Sequence, residues 1–459
     1  MTPLVAAALA VFSFLVAPPD ARAAEVTRVV SGFDDAGRFD FNVTLAWLHE
    51  QKQASIKRES AAAGTQSRLM NDLIYRQTRD VLLARVEMGI MRDVGLHVDL
   101  PYVLRDDRGL RFDQPNGAPC SPGGGGAGGL AGATCVNQDN STILRDGVLP
   151  GAGQSTYGVD ATAGGVPFAA PSSSVFRGPR RNGLEFLGVG VSWAVMNQAR
   201  DDSKPTVLLG VDAKFDVGTT MRYDAAQPGA NTAVGLGYHQ FVASTFVSKR
   251  LGAMDPYFGG YFMLPVRSGG SPFADLPGGN QPHARPQNRA GVQFGFEFVP
   301  WERSEINQRV ALEMRMRGDH RFQGSSHSEL WEPLSGSSAC GQGNVAACRP
   351  GVDLEFGGGA PHPGVTETQA YSTVGGDVGV SVRAGRYVRF RGVFGLAADL
   401  SHFITFATAG RDRDGDGQVD STSAEANPAY REALDIPGRR FKVDGSQIWN
   451  LVVDAAVTF

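Results

Sequence analysis

The residues whose types and spacing suit chemistry best lie close together near the end of the chain. Asp412, Asp414, Asp416 and Asp420 surround Gly417 in the pattern D-x-D-x-D-G-x-x-D. Alternate carboxylates in such a pattern converge on one hard cation, and the glycine permits the sharp turn that brings them together. The pattern therefore predicts a Ca²⁺ site in a loop.

This loop departs from an EF-hand at its twelfth position, which is Ser423 instead of glutamate. Glu425 lies two residues later and could take its place. A solvated acidic loop tip has the same composition, so the sequence leaves both interpretations open. A structural role is favoured over a catalytic one, because no nucleophile or base neighbours the loop in sequence.

The sequence contains neither the G-x-S-x-G nor the H-E-x-x-H pattern of common hydrolases. His239 and His402 fall in segments that we predict to be strands. Lipid-hydrolysing barrels use a histidine and a serine near the rim, which makes a rim-active hydrolase one hypothesis. A packed or lumenal histidine is the favoured interpretation, and we predict that the protein is not an enzyme.

Four cysteines form two local pairs, Cys120 with Cys135 and Cys340 with Cys348, each in a stretch rich in Gly, Ser and Pro. An even number of cysteines in an exported chain favours disulfides. A zinc site is disfavoured, because the spacings lack the C-x-x-C pattern. We predict a disulfide in each pair.

Period-2 alternation is clearest at the end of the chain, where Trp449, Val453 and Val457 share one face and Asp454 and Thr458 share the other. Such alternation is typical of strands. It recurs in segments that we predict as strands at 38–49, 73–92, 94–105, 183–197, 205–216, 233–248, 256–266, 289–299, 306–318, 369–384, 386–405 and 441–459.

Short and long links alternate between these segments, and the main long ones are 106–182, 319–368 and 406–440. Outer-membrane barrels have tight periplasmic turns and long extracellular loops. A sheet in hydrocarbon must also close, because lipid offers its backbone no hydrogen-bond partners. The fold class predicted is all-β, a single transmembrane antiparallel β-barrel of about 12 strands.

Composition agrees with an exported barrel and excludes other classes. A net charge of −4 over 459 residues gives no support for nucleic-acid binding. The mean hydropathy of −0.17 is too polar for a helical membrane protein. An apolar run at 4–17 precedes Ala21-Arg22-Ala23, which predicts a signal peptide at 1–23 and a mature barrel at 24–459.

The predicted inward face of the strands carries charges of both signs. They could line a narrow polar path, or they could form a salt-bridge network that plugs the lumen, and the sequence leaves both open. The mixture of signs predicts no strong ion selectivity. The residues are Arg85, Glu87, Asp212, Lys214, Glu297, Glu313, Arg315, Arg317, Asp377, Arg383, Arg389, Arg391 and Asp399.

Two stretches resemble outer-membrane barrels of the FadL/TodX type and porins linked to aromatic degradation. The first is the hairpin from Val86 to Tyr102, which resembles their G-hydrophobic-x-D … L-x-L-P hairpin and here ends in Val98-Asp99-Leu100-Pro101-Tyr102. The second comprises Leu184 to Trp193 and Pro205 to Phe215. The resemblance implies diffusion of small hydrophobic substrates. FadL-type barrels have fourteen strands and an N-terminal plug, from which the strand number predicted here departs.

We therefore predict an outer-membrane transporter or porin-like protein for small molecules. A structural or adhesive surface barrel with disulfide- and calcium-stabilised loops is the alternative, and a rim-active lipid hydrolase is a third. The expected partners are outer-membrane lipid and the barrel-assembly machinery, which would act through the C-terminal strand that ends at Phe459.

Overall fold

A computed structural model describes residues 24–34, 37–60, 68–113, 136, 174–178, 180–222, 232–273, 283–335, 363–385, 387–420, 423–427 and 429–459. Twelve strands form one closed antiparallel barrel. They are β1 (Phe41–Ser60), β2 (Arg68–Met91), β3 (Val94–Phe112), β4 (Leu187–Met196), β5 (Thr206–Phe215), β6 (Tyr238–Ser248), β7 (Met254–Arg267), β8 (Arg289–Arg303), β9 (Gln308–Arg321), β10 (Tyr371–Ala384), β11 (Val388–Asp399) and β12 (Phe441–Thr458).

Closure of the barrel comes from the last strand, which pairs with both β11 and β1. At its end Thr458 lies opposite Asn42, and the backbone N–H of Phe459 donates to the carbonyl of Phe41 at 2.8 Å. Every other strand pairs with its neighbour in sequence. The prediction of an all-β barrel of about 12 strands is confirmed.

The outward face of the barrel carries the apolar residues of the alternation. Val211, Phe258 and Leu396 expose 65%, 57% and 57% of their surface. A closed sheet that exposes such a belt needs lipid around it, so the barrel is transmembrane. No helix among the described residues is long and apolar enough to cross a membrane. Exposed aromatics border the belt near the short turns at Trp193, Trp301, Tyr387 and Phe459.

Connections at one end of the barrel are short, at 92–93, 197–205, 249–253, 304–307 and 385–387, and we call this the short-turn end. Asp93 and Asn307, the two described non-glycine residues with positive φ, both lie in these turns. Asp and Asn tolerate the left-handed conformation that a tight hairpin requires. The opposite end, which carries the long links, is the long-loop end.

Strand bounds predicted from the sequence are wrong at the long-loop end. β1 continues to Ser60 and β2 begins at Arg68, so most of the region expected to link them is paired strand. β3 likewise continues to Phe112, beyond the predicted start of the loop at 106–182. The alternation of apolar and polar residues fades there because these strand ends extend beyond the membrane. Their outer face contacts water instead of lipid, so both faces tolerate polar residues.

A packed cap fills the barrel at the long-loop end. An apolar cluster contains Leu334 of the helical turn Trp331–Leu334, Leu330 just before that turn, and Leu434 of the turn Glu432–Asp435. That cluster includes Ile56 of β1 and Phe441 of β12, which are fully buried. The long strands therefore enclose a small apolar core of folded loop above the lumen.

Candidate functional site

The N-terminal segment 24–31 lies inside the barrel at the short-turn end. The backbone N–H of Glu25 donates to Oε1 of Glu297 at 2.6 Å. The hydroxyls of Thr27 and Ser248 are 2.6 Å apart, and the Glu25 carboxylate contacts Arg389. Since Glu297, Ser248 and Arg389 face the lumen, this segment narrows the opening.

Above this segment, ion pairs along the lumen wall link β9, β10 and β11. Arg315 donates to Asp377 at 2.8 Å, and Arg317 lies 3.6 Å from the same carboxylate. Arg391 pairs with Glu313 at 2.5 Å. The structure places the predicted residues Arg85, Glu87, Asp212, Lys214, Glu297, Glu313, Arg315, Arg317, Asp377, Arg383, Arg389, Arg391 and Asp399 on inward strand faces.

Inward charges are also paired with opposite charges on the opposite wall of the short-turn half. Arg85 forms a bidentate pair with Asp99, at 2.6 and 2.9 Å. His97 lies 2.6 Å from Asp212. The sequence does not single out Asp99 and His97 as site residues, because their period-2 positions indicate only a strand. In this half of the lumen the salt-bridge interpretation therefore describes the geometry better than an open polar path.

Between the ion pairs and the cap lies a cavity of about 440 Å³. Its wall includes Lys52, whose ammonium lies 2.7 Å from both Glu329 and Asp399. Its roof includes Ser325 and His327 from the segment that leads into the cap. Burial lowers the pKa of His327 to about 3, so this imidazole is neutral at physiological pH.

Two arginines of the cavity wall face each other. Arg289 at the start of β8 and Arg321 at the end of β9 are direct register partners. Both line the cavity, and neither has a carboxylate within ion-pair distance among the described residues. The Arg321 guanidinium lies over the Tyr371 ring, 5.4 Å from its centroid.

The cap is attached to the barrel by a buried ion pair. Arg181 is fully buried and donates through Nε to Oε1 of Glu332 at 2.7 Å. Its guanidinium also lies over the Trp331 ring at 5.0 Å and donates to the carbonyl of Ala233 at 2.8 Å. The cap therefore depends on a cation from the wall, which the sequence did not indicate.

In the acidic loop, the carboxylates of Asp412, Asp414 and Glu425 come together within 4.8 Å. Glu425 also accepts backbone N–H groups from Asp420 at 3.0 Å and from Arg413 at 2.6 Å, which lowers its pKa. Asp416 and Asp420, which the pattern included, lie outside this cluster. The donor set suits a hard cation, and Ca²⁺ binding stays a prediction.

The two histidines considered for hydrolysis lie in other settings. His402 is buried with its ring stacked on Tyr371 at 3.6 Å, and its Nδ1 lies 2.7 Å from the carbonyl of Leu400. His239 accepts the backbone N–H of Asp216 at 3.0 Å. Among the described contacts neither histidine meets a serine hydroxyl.

A different pair, which sequence reasoning missed, joins Nδ1 of His320 to the Ser372 hydroxyl at 3.0 Å on the outward face. In the described part of the chain, no carboxylate or amide contacts His320 to orient it as a base. We therefore assign this pair no catalytic role.

Several predictions fall outside the described residues. The signal peptide at 1–23 does so, as do Cys120, Cys135, Cys340 and Cys348. The disulfides and the cleavage site stay predictions.

Comparison of the structure with solved proteins finds barrels at low similarity. An outer membrane channel from Pseudomonas putida F1 aligns over 97% of this chain and 100% of its own, with a TM-score of 0.40 and 9% identity. A FadL homologue from Pseudomonas aeruginosa aligns over 92% and 90%, with a TM-score of 0.30 and 6% identity. A mutant of the TodX monoaromatic hydrocarbon channel aligns over 96% and 93%, with a TM-score of 0.30 and 10% identity.

No family model matches the sequence, and no curated protein matches it. The chain is thus weakly similar to barrels of the FadL/TodX type. At these TM-scores the likeness carries no argument about function, so the proposals below rest on the geometry.

Proposed function

We propose that this protein is an outer-membrane channel that passes small polar molecules through its lumen. The observation that carries the proposal is the polar cavity of about 440 Å³ inside a closed barrel with an apolar outer belt. A cavity of this volume is in the range of small-molecule sites. Lipid satisfies the outer belt, so the lumen is the part of the barrel that suits a polar solute.

The lining favours a polar solute over the hydrophobic one that the FadL/TodX resemblance implies. Lys52, Arg79, Glu185 and Asp319 are among the groups around the cavity. An apolar solute would have to displace water from such groups without replacing their hydrogen bonds, which is unfavourable. Charges of both signs are compatible with passage of several kinds of polar molecule.

Passage would be restricted by the segment 24–31 at the short-turn end. Glu25 holds its first turn to Glu297, Arg389 and Arg383, and Thr27 lies against the Ser248 hydroxyl. At its other end the Ser31 hydroxyl accepts the backbone N–H of Asp93 at 3.0 Å. The segment is not a strand of the barrel, so it can move aside while the strands around it stay paired. We therefore infer a narrow and variable conductance.

Conductance in planar bilayers tests the proposal. The folded protein should give small, discrete current steps, and Glu25→Ala should increase the conductance or the open fraction by removing an ion pair of the segment. Lys204→Gln, in an exposed short turn, is the matched control that should change neither. A folded protein with neither conductance nor uptake of small solutes into liposomes would contradict the channel proposal.

Insertion into the membrane would depend on the terminal strand. The ring of Phe459 lies 6.1 Å from that of Phe41, and both residues are exposed on the lipid-facing side of the closing seam. We propose that the barrel-assembly machinery recognises this strand. Removal of Phe459 should lower the amount of folded protein in the outer membrane, whereas Phe394→Leu, on the same face of β11, should not.

A surface or adhesive barrel is the second candidate, and the packed cap favours it. A cap with buried Leu330, Leu334 and Leu434 presents the long loops from a fixed base. Binding of intact cells to surfaces, unchanged in a variant whose lumen is blocked, would support this role. Loss of conductance without loss of binding would then separate it from the channel proposal.

A further inference from the structure

The cations around the cavity differ in how they are neutralised. Lys52 is paired with two carboxylates. Arg79 lies 2.7 Å from Glu185, and Arg108 lies 2.7 Å from Asp106, which faces the lumen beside it. These groups form closed ion pairs, so they have little reason to attract a further anion.

Arg289 and Arg321 differ from these cations in having no such partner. They occupy directly opposed positions on adjacent strands, where the backbones are closest. In the described part of the chain, neither guanidinium takes part in a hydrogen bond or ion pair, and Nε of Arg289 is buried without a partner. Like charges placed opposite each other destabilise a sheet, so the pair has a cost that no ion pair among the described residues offsets.

The acidic groups nearest to this pair are already engaged. Asp399 and Glu329 are held by Lys52, and the carboxylate of Asp319 accepts a hydrogen bond from the Tyr261 hydroxyl. The two arginines therefore place two positive charges side by side at one point of the wall, while the carboxylates of Glu50 and Asp319 lie elsewhere in the cavity lining. A group with the opposite charge and two acceptor oxygens would fit between the guanidiniums.

We propose that Arg289 and Arg321 bind the carboxylate of a small organic acid within the cavity. The planar fork of a guanidinium matches the two oxygens of a carboxylate. This inference rests on the proposed channel function and names the class of solute for which the cavity is built. It also gives a reason for the repulsion between the two guanidiniums, because a bound anion supplies the counter-charge for both.

The surroundings of the pair favour an organic acid over an inorganic anion. Tyr238, Tyr261 and Tyr371 lie around Arg289, and all three line the cavity. Phe273 packs edge-on against Tyr238, with ring centroids 5.6 Å apart. A cavity of about 440 Å³ leaves room beside the guanidiniums for a carbon skeleton, and aromatic rings offer that skeleton apolar contact.

Equilibrium binding to the detergent-folded protein tests the proposal with three probes of nearly equal shape. Benzoate is anionic, benzyl alcohol is neutral and benzylammonium is cationic, and inorganic phosphate serves as the anion without a carbon skeleton. Calorimetry should show saturable binding of benzoate, with the other three probes at least about tenfold weaker. Equal binding of all the probes, or preference for benzylammonium, would overturn the proposal, and tighter binding of phosphate would replace the organic acid with an inorganic anion.

Variants locate the site. Arg289→Gln and Arg321→Gln should each weaken benzoate binding by about tenfold or more, and Arg321→Lys should fall between, because it keeps the charge and loses the fork. Arg76→Gln removes the same charge from an exposed position on β2 and should leave binding unchanged. Unchanged binding in both Gln variants would contradict the assignment.

Folding of the variants is checked by the heat-dependent gel shift of the barrel. Each Gln variant should be at least as stable as the parent, because its substitution removes the repulsion between the two arginines. Benzoate should raise the unfolding temperature of the parent protein but not that of the Arg289→Gln variant. This difference keeps a loss of binding distinct from a loss of folding.

Conductance separates this inference from the channel proposal on which it rests. Benzoate should reduce the single-channel current of the parent protein at concentrations that saturate calorimetric binding. Binding without conductance would retain the carboxylate site and refute the channel. If the protein conducts, but benzoate neither reduces the current nor binds in calorimetry, the channel would be retained and the carboxylate site refuted.

Discussion

In the short-turn half of the lumen, Asp377 lies within ion-pair distance of both Arg315 and Arg317. In the long-loop half, Arg289 and Arg321 face each other, and no carboxylate of the described residues lies within ion-pair distance of either. Both halves are built from the same alternation of strands. The comparison teaches that an inward position does not decide what a charge does. Inward charges that form an ion pair hold strands together, while two like charges without a counter-ion are available to a solute.

The largest effect is expected from breaking an ion pair of the short-turn half. The side chain of Asp377 is 2% exposed, and Asp377→Asn leaves two guanidiniums without their shared counter-charge. Removing one partner of a buried ion pair costs about 3–5 kcal/mol. Unfolding by urea, followed in detergent, should show this loss. Asp201→Asn, in an exposed turn, is the control, and equal stability of the two variants would contradict the role of the network.

A smaller and local effect is expected in the cap of the long-loop half. Glu332→Gln leaves Arg181 buried without its carboxylate, and only the cap depends on this contact. Hydrogen exchange at 330–335 should accelerate by roughly 100-fold, which corresponds to about 3 kcal/mol of local stability. Strands β8 and β9 should keep their protection near the short-turn end. Uniform acceleration over the whole barrel would show that the two halves are not independent.

A pH-dependent effect is expected next to the cap. Burial is the main cause that raises the pKa of Asp435 to about 7, although its oxygens accept the backbone N–H groups of Arg431 and Ala407 at 2.8 and 3.0 Å. The unfolded carboxyl has its usual pKa of 3.8. The folded segment therefore binds a proton that the unfolded one releases, so its stability is highest below about pH 4 and falls as the pH rises to 7.

Hydrogen exchange at 405–411 and 429–436, corrected for the intrinsic rate, measures this dependence. Protection should fall on the order of 100-fold between pH 4.5 and 7.5, as follows from pKa values of 3.8 and about 7. Asp435→Asn cannot titrate and should show a flat profile in this window. A parent profile that is also flat, or that rises with pH, would contradict the burial of a protonated carboxyl.

The smallest effect is expected at the acidic loop, outside both halves. If Ca²⁺ binds Asp412, Asp414 and Glu425, it should slow cleavage by trypsin at Arg411 and Arg413, and chelation should reverse the effect. Glu425→Gln should remove the protection. Asp416→Asn, whose carboxylate lies outside the cluster, should weaken it less. Barrel stability should not change with Ca²⁺.

The sequence predicted more of the barrel than of the site. Val453 and Asp454 alternate in the sequence and face lipid and lumen in the structure, with exposures of 47% and 5%. Such alternation is local, so it can be read without knowledge of the fold. Arg181 and Glu332 are 151 residues apart and belong to segments without periodicity, so nothing in the sequence indicated that they meet.

Register decided the candidate anion site. Between Phe298 and Trp301 a β-bulge shifts the pairing of β8 and β9 by one residue. Extending the register nearest the turn without this bulge would place Phe322, and not Arg321, opposite Arg289. A bulge depends on local backbone twist and leaves no clear mark in the alternation.

From the sequence alone came the fold class, the twelve strands, the order of short and long connections and the inward charged positions, because each depends on neighbours along the chain. The tertiary structure alone decided which charges are paired, where the cavity lies and how the cap closes the long-loop end. Those properties depend on strand register and on contacts between distant segments, which hydrophobic alternation cannot encode.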